Sequence, residues 1–249
     1  MSDTSHTIVL LGSPSWSVTP PPGFTLKHYP DTTQTVRRIT DDRAVLILVD
    51  GDGPDWGHFT SAPKASNATR RVPLIVVSTD AAIRDAAPGF GADLTLSPDD
   101  LATTDLTTLA AIRDDAATSA LASGCNEPLP TLAQEGVRKF NNREFYPQHD
   151  LFEEQWVNTE GPIRDLYRAI LQVGVAYYQI ERGNYNGARK MLLRAVQWLN
   201  PLPDVCQTVN IAKLRADAAH VREVLEATDP ADIADFDHEL LKPLELVDA

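Results

Sequence analysis

The sequence predicts a two-domain protein in which an α/β domain with a parallel sheet precedes an all-helical domain. Short, continuously apolar runs alternate with helical patterns in the first half, whereas the second half holds only amphipathic helices. A segment containing Gly, Asn and two prolines separates the halves. At 249 residues the chain is long enough for two domains of ordinary size. We therefore expect the α/β domain at 1–122, a linker at 123–130, the helical domain at 131–228 and an acidic, apolar tail at 229–249.

Five apolar runs are the predicted strands of the first domain. Their apolar residues are consecutive rather than alternating, which is typical of a parallel sheet that is covered on both faces. Helical patterns between the runs favour an open α/β sheet. The predicted strands are 8–12, 25–29, 44–50, 73–79 and 93–96, and the predicted helices are 32–40, 81–87 and 101–121.

The polar residues at the strand ends resemble those of the receiver domains of bacterial phosphorelay signalling. Asp50 ends the third strand, where that family has its phospho-accepting aspartate, and Ser78 ends the fourth, where it has a hydroxyl. The resemblance implies a flavodoxin-like sheet. The chemistry also needs an acidic pair for Mg²⁺ and a lysine near the phosphoryl oxygens. Gly12-Ser13 and Ser97 stand at those positions, so we predict a degenerate pseudo-receiver with a vestigial site at Asp50 and Ser78.

Two alternatives to a vestigial site stay open. Asp52 or Asp55 could offer a metal ligand, and Asp50 would then be a working phosphoryl acceptor. Asp50 could also simply end a strand at a loop rich in Gly and Asp.

The second half is predicted to form a compact helical bundle. The expected helices are 131–140, 144–157, 163–182, 186–199 and 208–227. Residues 143–145 and 183–185 stand 40 residues apart, and each triplet leads into an amphipathic helix. The second triplet and the small residues after it resemble part of a tetratricopeptide repeat. We therefore expect tetratricopeptide-like hairpins in the bundle.

A histidine-containing motif occupies residues 140–156, which read FNNREFYPQHDLFEEQW. The pattern F-N-x-x-x-F-[FY]-x-x-H-[DE]-x-x-E-x-x-W resembles the signature of a small all-helical bacterial and archaeal family of uncharacterised function. The resemblance covers about 131–203 and implies a helical fold and a candidate site, but no substrate. Asp150 stands where that family usually has Glu.

The helical spacing predicts that His149 points inward. Phe145, His149, Phe152 and Trp156 follow the spacing of one helical face, and Glu153 lies four residues after the histidine. The candidate binding cluster consists of Asn141, His149, Asp150, Glu153, Trp156, Gln172 and Tyr177.

Three roles are open for this cluster. A structural, hydrogen-bonded histidine is the favoured interpretation, followed by binding of a peptide or small ligand, and then by catalysis or metal binding. His149 and Glu153 supply only two ligands, whereas zinc takes three or four. The chain lacks the P-loop, dinucleotide-binding and nucleophile-elbow motifs. We predict no cofactor and a non-enzymatic signalling or interaction adaptor; a small-molecule enzyme or metal-binding protein using His149 and Glu153 is the alternative.

Composition limits the partners. The chain has 35 acidic against 22 basic residues, a formal net charge of −13, which argues against nucleic acid and anionic membranes as partners. A protein, a peptide or a small molecule stays open as partner, as does the oligomeric state. Residues 1–6 lack a secretory-signal pattern, and Cys125 and Cys206 show no metal or disulfide spacing. We therefore expect a cytoplasmic protein with two reduced thiols.

The tail alternates acidic and apolar residues. It could insert Phe236, Leu240 and Leu241 into a groove between helices, or it could be partly disordered. The leucines favour docking.

Overall fold

The structure, a computed structural model, describes residues 6–111 and 115–247. Three predictions therefore lie partly outside the described residues: the polar N-terminus at 1–6, the helix at 101–121 and the end of the tail at 229–249. Contacts divide the chain into two compact units, Met1–Ile112 and Arg113–Ala249. The first carries a parallel sheet and the second is helical, as the sequence predicts.

The first unit is built on a five-stranded sheet in the order β2-β1-β3-β4-β5, with every neighbouring pair parallel. This is the strand order of flavodoxin-like folds, in which ligands bind beyond the carboxyl ends of the strands. The strands are β1 (His6–Leu11), β2 (Phe24–Tyr29), β3 (Ala44–Asp50), β4 (Leu74–Val77) and β5 (Leu94–Leu96). They overlap all five predicted runs.

Both faces of this sheet are covered, which explains the continuous apolar runs. Along β3, Ile47 and Val49 pack into one apolar cluster, and Leu46 and Leu48 pack into another on the opposite face. The helices of the unit are α1 (Thr35–Asp41), α2 (Trp56–Ala65), α3 (Ala81–Ala86) and α4 (Pro98–Thr103).

Two helix predictions in this region differ from the structure. The sequence pattern did not predict α2, whose last turn contains Pro63, a residue that normally disrupts helices. The single helix predicted at 101–121 is wrong, because α4 ends at Thr103 and is followed by a short 3-10 helix, Leu106–Thr108. A separate helix, α5 (Asp115–Cys125), then belongs to the second unit.

The second unit contains one long buried helix that packs mainly against the helices directly before and after it. Its members after α5 are α6 (Thr131–Asn141), α7 (Phe145–Val157), α8 (Arg164–Glu181), α9 (Tyr185–Leu199) and α10 (Ile211–Ala227). The long helix α8 is buried along much of its length. At its core, the rings of Phe140, Phe145 and Tyr177 have centroids 5.3–5.7 Å apart, a favourable spacing for aromatic side chains.

The same turn geometry occurs at both members of the predicted repeat. Arg143 and Gly183 adopt left-handed backbone conformations with φ of 61° and 69°. The next amide in each turn reaches back to the preceding helix, from Glu144 to the carbonyl of Lys139 at 2.9 Å and from Asn184 to that of Gln179 at 2.8 Å. The hairpins α6–α7 and α8–α9 are therefore closed by equivalent hydrogen bonds.

The unit boundary precedes α5, whereas the sequence predicts a linker at 123–130. That segment is tied to the helical unit, because Cys125 and Leu129 are buried in its core. The C-terminal tail also packs against the core of the helical unit, where Phe236, Leu241 and Leu244 are buried.

The two cysteines form a disulfide, so the expectation of two reduced thiols is wrong. A two-stranded hairpin, β6 (Val205–Cys206) and β7 (Val209–Asn210), brings the Cα atom of Cys206 within 4.3 Å of that of Cys125. Their separation of 81 residues gave no sequence signal for this pairing.

None of the helices in the described residues is both long enough and apolar enough to cross a membrane.

Candidate functional site

His149 does not point into the core as the helical spacing predicts. Its side chain is 30% exposed, and its Nδ1 lies 3.0 Å from a carboxylate oxygen of Asp150. Its ring stacks against that of Tyr146, with centroids 6.2 Å apart and planes inclined by 21°. The histidine therefore lies at the border between the buried and the exposed faces of α7, and its neighbour Asp150 is exposed.

Gln148 takes the inward position instead and is fully buried. It lies three residues after Phe145 and four before Phe152, so it shares their buried stripe. On the facing helix α8, a Cβ added at Gly174 would collide with the Gln148 amide. Among the described residues, neither Nε2 nor Oε1 of Gln148 has a hydrogen-bond partner. A glycine inside the apolar helix α8 was the available signal for such a close approach.

Two other cluster residues of α7, Glu153 and Trp156, are not part of the contact between His149 and Asp150. Glu153 is exposed, and the hydrogen bond of His149 goes to Asp150 instead. Trp156 is partly buried and lies under two cations: the guanidinium carbons of Arg164 and Arg168 are 5.1 and 4.6 Å from its ring centroid. Trp156 is therefore part of a cation–π stack at the far end of α7.

Asn141 fixes the tail to the turn between α6 and α7. Its Nδ2 donates to the carbonyl of Leu244 at 3.0 Å, and its Oδ1 accepts from the amide of the same residue at 2.7 Å. This pair of bonds satisfies a stretch of irregular backbone much as a neighbouring strand would. Asn141 therefore has a structural partner that the motif alone did not indicate.

The two cluster residues on α8 are largely buried. Tyr177 lies in the aromatic core, where burial, together with the negative charge of Asp217, raises the pKa of its hydroxyl. Gln172 is 8% exposed. The seven predicted cluster residues thus contribute to several separate environments, and on α7 Asp150 and Glu153 are exposed while His149 and Trp156 are partly buried.

A partly exposed aromatic strip runs across α7 and the end of α8, and we call it the α7–α8 face. It consists of Tyr146, His149, Tyr178 and Arg182. Tyr146 is 59% exposed, and its ring lies 5.5 Å from that of Tyr178. Arg182 donates to the Tyr178 hydroxyl at 3.0 Å, with its guanidinium carbon 5.6 Å from the ring centroid. The candidate cluster omitted Tyr146, although its place in the motif beside His149 could have suggested it.

Asp50 lies at the carboxyl edge of the first unit's sheet, where a receiver-like site is expected. It is 4% exposed. One carboxylate oxygen accepts from the amide of Ser13 and the other from the amide of Asp52, both at 3.1 Å. A Cβ added at Gly12 would lie 2.5 Å from the Asp50 Cβ. The loop after β1 therefore covers this carboxylate closely.

Ser78 does not bond to Asp50. Its hydroxyl donates to Asp52, whose carboxylate also accepts from the amide and hydroxyl of Thr79, each at 3.0 Å. Burial raises the pKa of Asp52, but the hydrogen bonds from Ser78 and Thr79 outweigh it and hold that pKa below its ordinary value. Asp52 is thus the carboxylate that links the loops after β3 and β4.

Within residues 6–111 and 115–247, no group of three or more His, Cys, Asp or Glu side chains is arranged to hold a metal ion.

A model of a protein family matches part of the helical unit. The model of a family described as a domain of unknown function (DUF309) matches residues 133–191, a stretch from α6 into α9 that includes the histidine motif. An uncharacterised protein of Aquifex aeolicus (strain VF5) is 23% identical over 103 residues, which are 41% of this chain and 31% of that relative. The chain thus spans about a third of that relative's length.

Proposed function

We propose that this protein is a non-enzymatic interaction adaptor in which a pseudo-receiver is joined to a helical binding module. The observation that carries the proposal is the α7–α8 face. The residues predicted to form a single polar site contribute to separate structural contacts, whereas Tyr146, His149 and Tyr178 make a contiguous aromatic surface. Tyrosines are over-represented among the residues that dominate protein interfaces.

The charge on the α7 side of this face favours a basic partner. Helix α7 contains Asp150, Glu153 and Glu154 and has no Lys or Arg, and all three acidic side chains are exposed. Electron-rich tyrosine rings attract cations. Arg182 occupies that position over Tyr178, so the ring offered to a cation of the partner is that of Tyr146, which is 59% exposed. The occupant that fits is a peptide segment carrying lysine or arginine, with attraction strengthened by complementary charge.

The repeated hairpins support a binding role for the helical unit. The equivalent turn bonds at Glu144 and Asn184 fit the tetratricopeptide-like arrangement that the sequence suggests. Stacked helical hairpins of this kind present extended surfaces to partners.

The site in the first unit supports a pseudo-receiver. A phospho-accepting aspartate needs free carboxylate oxygens beside a metal ion. Both oxygens of Asp50 accept backbone amides, and Ser78 is engaged by Asp52. The first strand is followed by Gly12 and Ser13 rather than by an acidic pair.

The alternative, a small-molecule enzyme or metal-binding protein using His149 and Glu153, has less support. The hydrogen bond of His149 goes to Asp150. Gln172 and Tyr177, which belong to the predicted cluster, are buried in the bundle.

The proposal is tested by fluorescence anisotropy on the full chain with two labelled probe peptides. One alternates Lys with Leu, and the other alternates Glu with Leu. We expect the basic peptide to bind and the acidic one not to bind. Tyr146→Ala should weaken binding by about tenfold or more, as loss of an interface anchor does, and Asp150→Asn should weaken it less.

Phe90→Ala is the matched control, because Phe90 is an exposed aromatic residue of the first unit. Equal binding of both peptides, or basic-peptide binding that is unchanged in Tyr146→Ala, would refute the α7–α8 face as the binding surface.

A further inference from the structure

Helix α5 is fastened to the helical unit at its last residues. The buried positions of α5 are Leu121, Gly124 and Cys125, at its C-terminal end, while residues 115–120 are mostly exposed. At this end a Cβ on Gly124 would lie 2.8 Å from the side chain of Ile163, so the helix approaches its neighbour closely there. The buried contacts of α5 within the described residues therefore lie at this end.

The covalent part of the fastening is the disulfide between Cys125 and Cys206. Cys125 is the last residue of α5, and Cys206 lies in β6. Cys125 is 8% exposed and Cys206 is completely buried. A reductant would therefore reach the sulfur of Cys125 more easily, after a small local opening.

The non-covalent part is Gln207, the residue after Cys206. Its amide donates to the carbonyl of Cys125 at 2.7 Å, and its Nε2 donates to the carbonyl of Gly124 at 3.0 Å. These bonds satisfy carbonyls that the end of a helix leaves open. The Gln207 side chain is in turn held by the hydroxyl of Tyr167, which donates to its Oε1 at 2.9 Å.

The hairpin turn that presents Gln207 is conformationally demanding. Gln207 and Thr208 have φ of 48° and 65°. These values lie in the left-handed region, which residues other than Gly, Asn and Asp rarely adopt. Such a backbone persists only when its surroundings hold it in place. The bonds from Gln207 to α5 are thus part of what maintains this turn.

We propose that the Cys125–Cys206 disulfide is a reversible redox lock on α5. A thiolate of a dithiol reductant attacks the Cys125 sulfur, the bond to Cys206 breaks, and its electron pair leaves on the Cys206 sulfur. The second thiol of the reductant then displaces Cys125 and closes the reductant's own disulfide. The two protein cysteines end as thiols, carrying the two protons lost by the dithiol.

Of the described contacts that fasten the C-terminal end of α5, reduction leaves the small apolar contact and the Gln207 bonds. Because most of its surface already faces solvent, α5 detaches from the bundle far more often, while α6 to α9 keep their shared core. The lock thus controls whether α5 is docked, and an undocked α5 uncovers apolar surface near Ile163.

Hydrogen exchange with mass spectrometry on the full chain tests this inference. The oxidised protein is compared with the same protein in dithiothreitol, and thiol alkylation monitors the redox state. We expect the amides of 115–125 to exchange at least tenfold faster after reduction, while those of α8 stay equally protected. The double variant Cys125→Ser/Cys206→Ser should reproduce the reduced pattern and be insensitive to dithiothreitol. Gln207→Ala should accelerate exchange of α5 further when the disulfide is reduced.

Three outcomes would overturn the lock. Both cysteines could be alkylated without reductant, α5 could stay equally protected after reduction, or α5 and α8 could lose protection together. The last result would make the disulfide a general staple of the unit rather than a lock on one helix.

Discussion

Replacing Gln148 with Met should stabilise the helical unit. The Gln148 side chain is fully buried, and within the described residues its amide nitrogen and oxygen have no hydrogen-bond partner. Burial of such an unpaired amide costs about 1–3 kcal/mol by mutational measurements. Met has a similar length and flexibility and no polar atom to desolvate. We therefore expect Gln148→Met to raise the free energy of unfolding by about 1–3 kcal/mol.

Urea denaturation followed by circular dichroism at 222 nm measures this change, since most helix lies in the second unit. With a slope of about 2 kcal/mol per molar urea, the midpoint should rise by roughly 0.5–1.5 M. Gln155→Met is the matched control, because Gln155 donates a hydrogen bond to the hydroxyl of Thr159 at 3.0 Å. The urea midpoint of this variant should fall or stay unchanged. A lower midpoint for Gln148→Met would refute the argument and indicate that a buried water satisfies the amide.

Two further predictions concern the tail and the first unit. Asn141→Ala removes both hydrogen bonds to the Leu244 backbone and should lower the free energy of unfolding by about 1–3 kcal/mol. Hydrogen exchange at 241–247 should accelerate. Unchanged exchange there would show that these bonds do not hold the tail in place. Asp52 has a lowered pKa in the folded protein, so its stabilising contribution is complete above its unfolded pKa of about 4 and is lost as pH falls through the lower folded value. Asp52→Asn should flatten that acid dependence, measured by urea denaturation of the full chain between pH 7 and pH 3; parallel pH profiles of the two proteins would contradict it.

Strands of the first unit were predictable because each apolar run lies in a sheet that is covered on both faces. The run 44–50, for example, became β3 with the same bounds. Helix α2 was missed since Pro63 and the glycines before it argue locally against a helix, and tertiary contacts override such preferences. Hairpin β6–β7 has strands of two residues, which are too short to show any periodicity.

The sequence pattern predicted His149 on the buried stripe of α7, but Gln148 occupies that position. The helical spacing from Phe145 and Phe152 is compatible with either Gln148 or His149 on the buried stripe, so spacing alone did not decide between them. The facing residue Gly174 decides it, because it leaves room for the Gln148 side chain against the backbone of α8. Cys125 and Cys206 illustrate the same limit, since only the folded hairpin brings them together.

The C-terminal tail connects the two regions for which we make proposals. Asn141, in the histidine motif, holds the backbone of Leu244. Three residues further along, the amide of Val247 donates to the carbonyl of Thr208 at 2.8 Å, in the hairpin turn beside Cys206. A continuous series of contacts therefore runs from the disulfide hairpin to the turn that precedes the α7–α8 face.

Such a series transmits a change only if one of its elements switches between two arrangements. Under our proposal that element is α5, and the hairpin has anchors that do not involve α5. Tyr167 holds Gln207, and the tail holds Thr208 and Asn210 through Val247 and Glu245. Because these bonds persist when α5 detaches, the hairpin and tail should stay in place, and so should the α7–α8 face. The redox state would then govern the docking of α5 while peptide binding continues, which makes the two proposed activities independent.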